Sequence, residues 1–126
     1  MRALPDASFT IDDTKDLPMT TAITSMSQRG LRVAIAGLGR MGMRHVQAVK
    51  DLGMTVCGVA DLSPQSVAAA CDTHDIGREL GFTDAYAMLH SWRPQAVVVA
   101  TTAPSHAALV LAAVASGAKH ILCEKP

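Results

Sequence analysis

A short apolar run that stops at a cluster of glycines constrains this chain more than any other feature. The run extends from Leu31 to Ala36, and Gly37-Leu38-Gly39-Arg40-Met41-Gly42 follows it directly. Apolar residues then recur at helical spacing up to Gly53, a residue suited to the left-handed conformation that ends many helices. The sequence therefore predicts a buried strand, a glycine turn and a helix over residues 31–53.

The rest of the chain alternates between strands and helices in the same way. Strands are predicted at Met54–Ala60, Gly81–Thr83, Gln95–Thr101 and Lys119–Cys123, and helices from Ser63 to about Asp72, over 84–92 and over 105–116. Residues 73–83 fit no clear period, and the strand predicted at their end is a short one at the sheet edge. Alternation at this spacing predicts an α/β fold with a doubly wound parallel sheet and strand order 3-2-1-4-5.

The first 30 residues differ from the rest of the chain. They contain Pro5, Pro18 and Gly30 among scattered polar residues and keep neither a helical nor a strand period. We expect a disordered leader over 1–30 and a folded domain over 31–126. Met19 and Met26 leave open the alternative that translation starts further downstream.

Charge and aromatic content limit the partners of this domain. Eleven basic and eleven acidic residues cancel, and the chain has only two Phe, one Trp and one Tyr. Nucleic-acid binding calls for a basic surface or stacking aromatics, so neither DNA nor RNA is an expected partner. No apolar stretch reaches the roughly 18 residues of a membrane span, and no signal peptide precedes the first strand.

The cysteines and histidines suggest an ordinary reduced interior. Cys57 and Cys123 fall in predicted strands and Cys71 in a predicted helix, without a CxxC pair, so buried free thiols and a cytoplasmic location are expected. His45, His74, His90 and His120 lack the spacing of metal ligands, and we predict no metal site.

The glycine cluster matches G-x-G-x-x-G, and its context makes the match informative. It follows a predicted strand, opens a predicted helix and is followed about 20 residues later by an acid, Asp61, at the end of the next strand. Gly37 permits the tight turn, Gly39 lets the backbone approach a pyrophosphate, and Gly42 allows close packing of helix on sheet. The pattern predicts a dinucleotide site. The alternative is a structural glycine turn that has the same sequence pattern and binds no ligand.

Asp61 and Arg40 bear on which dinucleotide binds. The Asp61 carboxylate can accept hydrogen bonds from ribose hydroxyls and would repel the extra phosphate of NADP, which favours NAD. Asp61 also fits a simple turn residue ahead of the Ser63 cap. Arg40 could instead attract a phosphate, or lie solvated on the surface.

The far end of the chain carries a more specific pattern. Thr101-Thr102-Ala103-Pro104-Ser105-His106, an Ala-rich helix and the ending Cys123-Glu124-Lys125-Pro126 resemble the glucose-fructose oxidoreductase and inositol dehydrogenase family, Gfo/Idh/MocA. Gly37 to His45 resembles it too, so the resemblance spans residues 31–126. The Glu-Lys-Pro ending is the most specific match because the fold itself does not require it.

The resemblance implies a site and a reaction. Lys125 matches the family lysine that contacts the nicotinamide and the substrate hydroxyl, and it would be the catalytic acid or base. Cofactor contacts are thus expected from the glycine loop (Gly37, Leu38, Gly39, Arg40, Met41 and Gly42), from Asp61, and from Thr101 and Thr102 at the carboxyl end of the central strand. The family pattern adds Pro104, His106, Glu124 and Lys125. Helix capping for the threonines, ordinary packing for His106 and a surface position for Lys125 are the competing interpretations.

The implied enzyme is larger than this chain. A polyol or sugar substrate, a second domain that holds it and a homo-oligomer belong to the family pattern, and the chain is expected to stop before the sixth strand and that domain. Two other classes stay open: a methyltransferase, which Lys125 and the three-glycine spacing disfavour, and a non-catalytic dinucleotide-binding module.

Overall fold

The structure is a computed structural model and describes residues 30–125. In this range the strands are β1 (Arg32–Ala36), β2 (Thr55–Ala60), β3 (Gly81–Phe82), β4 (Ala96–Val99) and β5 (His120–Cys123). The α-helices are α1 (Arg40–Asp51), α2 (Pro64–His74), α3 (Ala85–Trp92) and α4 (His106–Ala115), with single 3-10 turns at Arg78–Leu80 and Ala103–Ser105. The expected leader lies, apart from Gly30, outside the described residues, as does Pro126.

All five strands form one parallel sheet in the order β3-β2-β1-β4-β5. The predicted α/β fold and strand order 3-2-1-4-5 are therefore confirmed. Parallel strands joined by right-handed crossovers bring their carboxyl ends to one edge, and a ligand crevice opens where the chain direction across the sheet reverses. Here that point lies between β1 and β4, directly beside the glycine turn.

The predicted elements differ from the observed ones mainly at their ends. The central strand β4 stops at Val99, because the chain turns into a 3-10 helix that leads to α4. Helix α2 continues to His74 and ends with Asp75 at φ 55°, a left-handed conformation that Asp tolerates. The 3-10 turn at Arg78–Leu80 was missed because a single turn leaves no period to detect.

Two apolar layers cover the sheet. One layer joins α1 and α2 to one face through Val46, Val49 and Val67. The other joins α3 and α4 to the opposite face through Met88, Leu89 and Leu109. Within residues 30–125, no helix has the length and apolar character needed to cross a membrane.

The cysteines correct one expectation from the sequence. Cys57 on β2 is buried as predicted and Cys71 on α2 is buried as well, but Cys123 on β5 is exposed. An apolar run predicts a strand without fixing how far each side chain is covered, and on β5, which the predicted strand order also places at the sheet edge, only Ile121 is partly covered. Thus only one of the two strand cysteines is buried.

This difference predicts unequal thiol reactivity. Burial raises the pKa of the Cys57 and Cys71 thiols, so both stay protonated near neutral pH, and the thiolate is the reactive form. With an aromatic disulfide reagent at pH 8, we expect Cys123 to react at least about 100-fold faster than the other two in the folded chain. All three should react together in denaturant, and rapid reaction of Cys57 in the folded chain would contradict the burial.

The same pKa shifts have a consequence for stability. Because burial raises both thiol pKa values in the folded chain, the unfolded chain releases these protons first as pH rises. The contribution of these two thiols to the free energy of unfolding is complete below the pKa of a thiol in the unfolded chain, about 8.5. It is lost as the pH rises toward the pKa values that the thiols have in the folded chain.

Candidate functional site

The turn after β1 depends on a glycine that packs against another strand. Gly37 has φ +98°, and its N–H donates to the Ala60 carbonyl over 2.7 Å. A Cβ at this position would lie 2.6 Å from the carbonyl carbon and oxygen of Ala100 and 2.7 Å from the nitrogen of Thr101. Gly37 therefore lets the turn lie directly against the end of β4.

The other two glycines of the motif differ in how closely the rest of the protein approaches them. A Cβ at Gly42 would lie 1.7 Å from the carbonyl oxygen of Gly37, so the first turn of α1 rests directly on the preceding loop. A Cβ at Gly39 would meet nothing within 4 Å. Within the protein Gly42 is required for packing, whereas Gly39 faces open space that a ligand could occupy.

The first turn of α1 presents backbone donors toward that space. Gly39 is the N-cap and provides no side-chain hydrogen bond to the helix, and the first turn contains no acidic residue. The first N–H groups of a helix lack intrahelical partners and carry the positive end of its dipole, which suits an anion. Arg40 and Met41, also in this turn, are exposed.

Asp61 connects the glycine loop to the end of β2. Its Oδ2 accepts a hydrogen bond from the Leu38 N–H at 2.8 Å, and its Oδ1 accepts one from the Ser63 N–H at 2.9 Å. Each carboxylate oxygen can accept a further hydrogen bond. Asp61 is half-buried, so it shapes the loop and still offers lone pairs to a ligand. The turn role of Asp61 is therefore compatible with a binding role.

An open cleft of about 440 Å³ runs along the carboxyl edge of the sheet. From the predicted site it gathers Gly37, Gly39, Asp61, Thr101 and Thr102. Its other lining residues are Ala60, Leu62, Thr83, Asp84, Ala85, Tyr86, Ala100, Ser105 and Leu109. The lining mixes apolar surface with hydroxyls and carboxylates, and no Lys or Arg belongs to it among the described residues.

The segment after β4 is held by its own side chains. Ser105 Oγ lies 2.6 Å from Thr101 Oγ1, to which it can donate, and 2.9 Å from the Thr102 carbonyl. The His106 Nε2–H donates to the Thr101 carbonyl at 2.7 Å. Neither His106 nor the exposed Pro104 belongs to the lining of the cleft.

Glu124 and Lys125 lie beyond β5, outside the cleft lining. The Glu124 N–H donates to the Val99 carbonyl at 2.9 Å, which extends the β4–β5 pairing by one bond. Its carboxylate contacts His45 on α1, with 2.6 Å between Oε2 and Nε2. The Lys125 side chain is exposed at the same edge of the sheet.

Sequence reasoning missed several parts of this site. It did not find the Leu38 amide as the partner of Asp61, nor Leu62, Asp84 and Tyr86 in the cleft. Asp84 could have been found as the N-cap of α3, since its Oδ1 accepts from the Tyr86 N–H at 2.9 Å. The described residues contain no group of three or more His, Cys, Asp or Glu arranged to hold a metal.

A comparison with protein families decides the relationship that the motifs suggested. The family model described as "Oxidoreductase family, NAD-binding Rossmann fold" for Gfo/Idh/MocA proteins matches residues 31–126. This chain belongs to the Gfo/Idh/MocA oxidoreductase family. The match begins just before β1 and includes the glycine loop, Asp61 and the Glu-Lys-Pro segment.

Individual Gfo/Idh/MocA relatives cover the same region. The inositol 2-dehydrogenase of Pseudomonas savastanoi pv. phaseolicola is 34% identical over 98 residues, which are 76% of this chain and 29% of that protein. An Agrobacterium radiobacter oxidoreductase, solved with NAD+, L-tartaric acid and magnesium, is 32% identical with a TM-score of 0.68, over 76% of this chain and 28% of that one. Myo-inositol 2-dehydrogenase from Lactobacillus plantarum is 26% identical with a TM-score of 0.69, over 77% and 28%.

The chain thus spans less than a third of the length of these Gfo/Idh/MocA relatives. The shared part is the NAD-binding Rossmann region, which agrees with the parallel sheet and with the cleft at its carboxyl edge.

Proposed function

We propose that this domain binds NAD in the cleft, as the cofactor-binding part of an oxidoreductase acting on a secondary alcohol of a sugar, cyclitol or other polyol. The observation that carries the proposal is the hydrogen bond between Asp61 and the Leu38 amide beside the open position at Gly39. It joins an acceptor for ribose hydroxyls to a loop that a pyrophosphate can approach.

The described residues fit the cofactor part by part. The uncapped first turn of α1 receives the pyrophosphate through backbone N–H groups, and Gly39 leaves room for it. Asp61 accepts from the adenosine ribose, while Leu62, which is 90% exposed, offers apolar surface at the rim of the cleft. Thr101 and Thr102 lie where the chain crosses over, toward the nicotinamide end.

NAD supplies the hydride acceptor, and the protein must orient the alcohol and manage its proton. We assign acceptance of the alcohol proton to Lys125, because it matches the lysine that the family resemblance places beside the nicotinamide, and a positioned lysine amine can serve as a general base. Inositol 2-dehydrogenases among the relatives support a polyol as the substrate class.

Cofactor selectivity gives a direct test of this proposal. Asp61 and Asp84 both line the cleft without a compensating Lys or Arg in its described lining, so the 2'-phosphate of NADP would meet like charge. We expect calorimetric titration to show NAD binding at least about tenfold tighter than NADP, a gap that narrows as salt screens the charges.

A substitution at an exposed position sharpens the test. Leu62→Arg places a cation at the rim and should tighten NADP binding by about tenfold while leaving NAD binding nearly unchanged. Gln65→Arg, exposed on α2 and absent from the cleft lining, is the matched control. Equal affinity of the native chain for both cofactors, or binding of neither, would contradict the proposal.

A further inference from the structure

The contact between His45 and Glu124 joins two distant parts of the chain. His45 Nε2 and Glu124 Oε2 are 2.6 Å apart, and the two side chains are only 18% and 25% exposed. His45 belongs to the second turn of α1, and Glu124 follows the last strand. Since a carboxylate only accepts, the imidazole Nε2 must carry the proton in this contact.

The Glu-Lys-Pro segment has few other attachments. β5 is an edge strand in the described sheet, and His120, Leu122 and Cys123 on it are exposed. The last backbone bond before Lys125 is the one from Glu124 to Val99. A strand with so little buried surface opens easily at its end, so a side-chain contact there controls the local order.

α1 contacts both this segment and the glycine loop. Its first turn rests on Gly37 through Gly42 and faces the space assigned to the pyrophosphate, and His45 stands one turn further along. A helix rises by about 1.5 Å per residue and is stiff over this length, so it fixes the spacing between the two attachment points. Among the described residues, no other side-chain hydrogen bond joins α1 to the segment after β5.

We propose that His45 is a positioning residue, which holds the Glu124 carboxylate on α1 and thereby fixes Lys125 relative to the bound dinucleotide. The inference rests on the proposed function, because it takes NAD as the cofactor and Lys125 as the group beside the nicotinamide. His106 cannot replace it, since its Nε2–H is engaged by the Thr101 carbonyl.

The proposal can be tested on the 126-residue chain with three variants. His45→Leu removes the hydrogen bond at similar size, His45→Gln keeps an N–H donor, and Gln47→Leu makes the same apolar change at an exposed position of α1. The first readout is the hydrogen-exchange rate of the Glu124 amide. The second is acetylation of Lys125 by a succinimidyl acetate, measured by mass spectrometry with and without NAD and compared with the exposed Lys119.

The native chain and Gln47→Leu should behave alike. We expect slow exchange at Glu124 and at least about fivefold protection of Lys125 by NAD, with Lys119 unaffected. In His45→Leu the Glu124 amide should exchange at least about tenfold faster and the protection should fall below about twofold, while the NAD affinity changes by less than about threefold. His45→Gln should restore both readouts.

Native-like exchange and native-like protection in His45→Leu would overturn the proposal, as would a failure of His45→Gln to restore either. Exchange that accelerates equally in the core strands β1 and β4 would also overturn it, because the effect would then be general destabilisation. If the native chain binds no NAD, the proposed function fails, and the exchange comparison still decides whether His45 holds the segment.

Discussion

Replacing Gly42 with alanine is expected to lower the melting temperature by about 8–20 °C, equivalent to about 2–3 kcal/mol for a domain of this size. The added Cβ would lie 1.7 Å from the Gly37 carbonyl oxygen. The obstacle is backbone, so no side chain can rotate to relieve the overlap. α1 must lift away from the sheet, and it carries the buried Val46 and Val49 with it. Thermal unfolding followed by circular dichroism measures the loss.

Gly39→Ala in the same loop is the matched control. Its Cβ meets no protein atom within 4 Å and its φ of −74° suits any residue, so the melting temperature should change by less than about 3 °C. The methyl group nevertheless enters the space assigned to the pyrophosphate, so NAD affinity should fall by about tenfold or more. Equal melting temperatures for the two variants would contradict the packing assigned to Gly42.

The second large effect concerns Lys125. The 126-residue chain should bind NAD without sustained oxidation of any polyol, because residues 30–125 form no second wall that holds a substrate over the nicotinamide. Positioning of this kind can contribute roughly 7–11 kcal/mol to lowering a barrier. We expect NADH formation only when the domain is joined to a second domain, such as the part of the Pseudomonas savastanoi inositol 2-dehydrogenase that lies outside the matched region.

In that two-domain protein, Lys125→Ala should reduce kcat by about 10²- to 10⁴-fold, the range typical of a lost general acid or base. Lys119→Ala, which removes an exposed amine just before β5, is the control and should keep the native rate. NADH absorbance with a panel of inositols and sugars measures both. Native activity in Lys125→Ala would refute the role of the lysine, and steady turnover by the 126-residue chain would refute the need for a second domain.

Most of the fold could be predicted from local sequence patterns. The strands other than β3 were predictable as apolar runs and most helices from apolar residues at helical spacing, and the strand order followed from the handedness of βαβ crossovers. Residues 78–80 were not predictable in this way, since one 3-10 turn shows no period. The exposure of Cys123 was missed because its apolar run was equated with a buried strand, although the predicted strand order already places β5 at the edge of the sheet.

The site, too, has residues that could be predicted from local sequence and contacts that could not. Gly37, Gly39, Gly42 and Asp61 could be chosen from spacing alone, because the motif is continuous and the acid follows the next strand. The hydrogen bond from the Leu38 amide to Asp61 depends on how the loop after β1 meets the end of β2, and a backbone donor is not identified by the type of its residue. The contact between His45 and Glu124 joins the two ends of the domain, and neither residue forms a motif with the other.

The packing of Gly37 against Ala100 also affects how this domain folds. The close approach of Gly37 to Ala100 forms together with the pairing of β1 and β4, and that pairing joins segments far apart in sequence. Non-local pairing forms slowly because the chain loses loop entropy before the contact stabilises it. We therefore expect the complete glycine loop to form late in folding, together with the centre of the sheet. A dinucleotide that recognises this loop selects chains whose centre is already assembled, and it stabilises them in proportion to the logarithm of its concentration once sites are saturated.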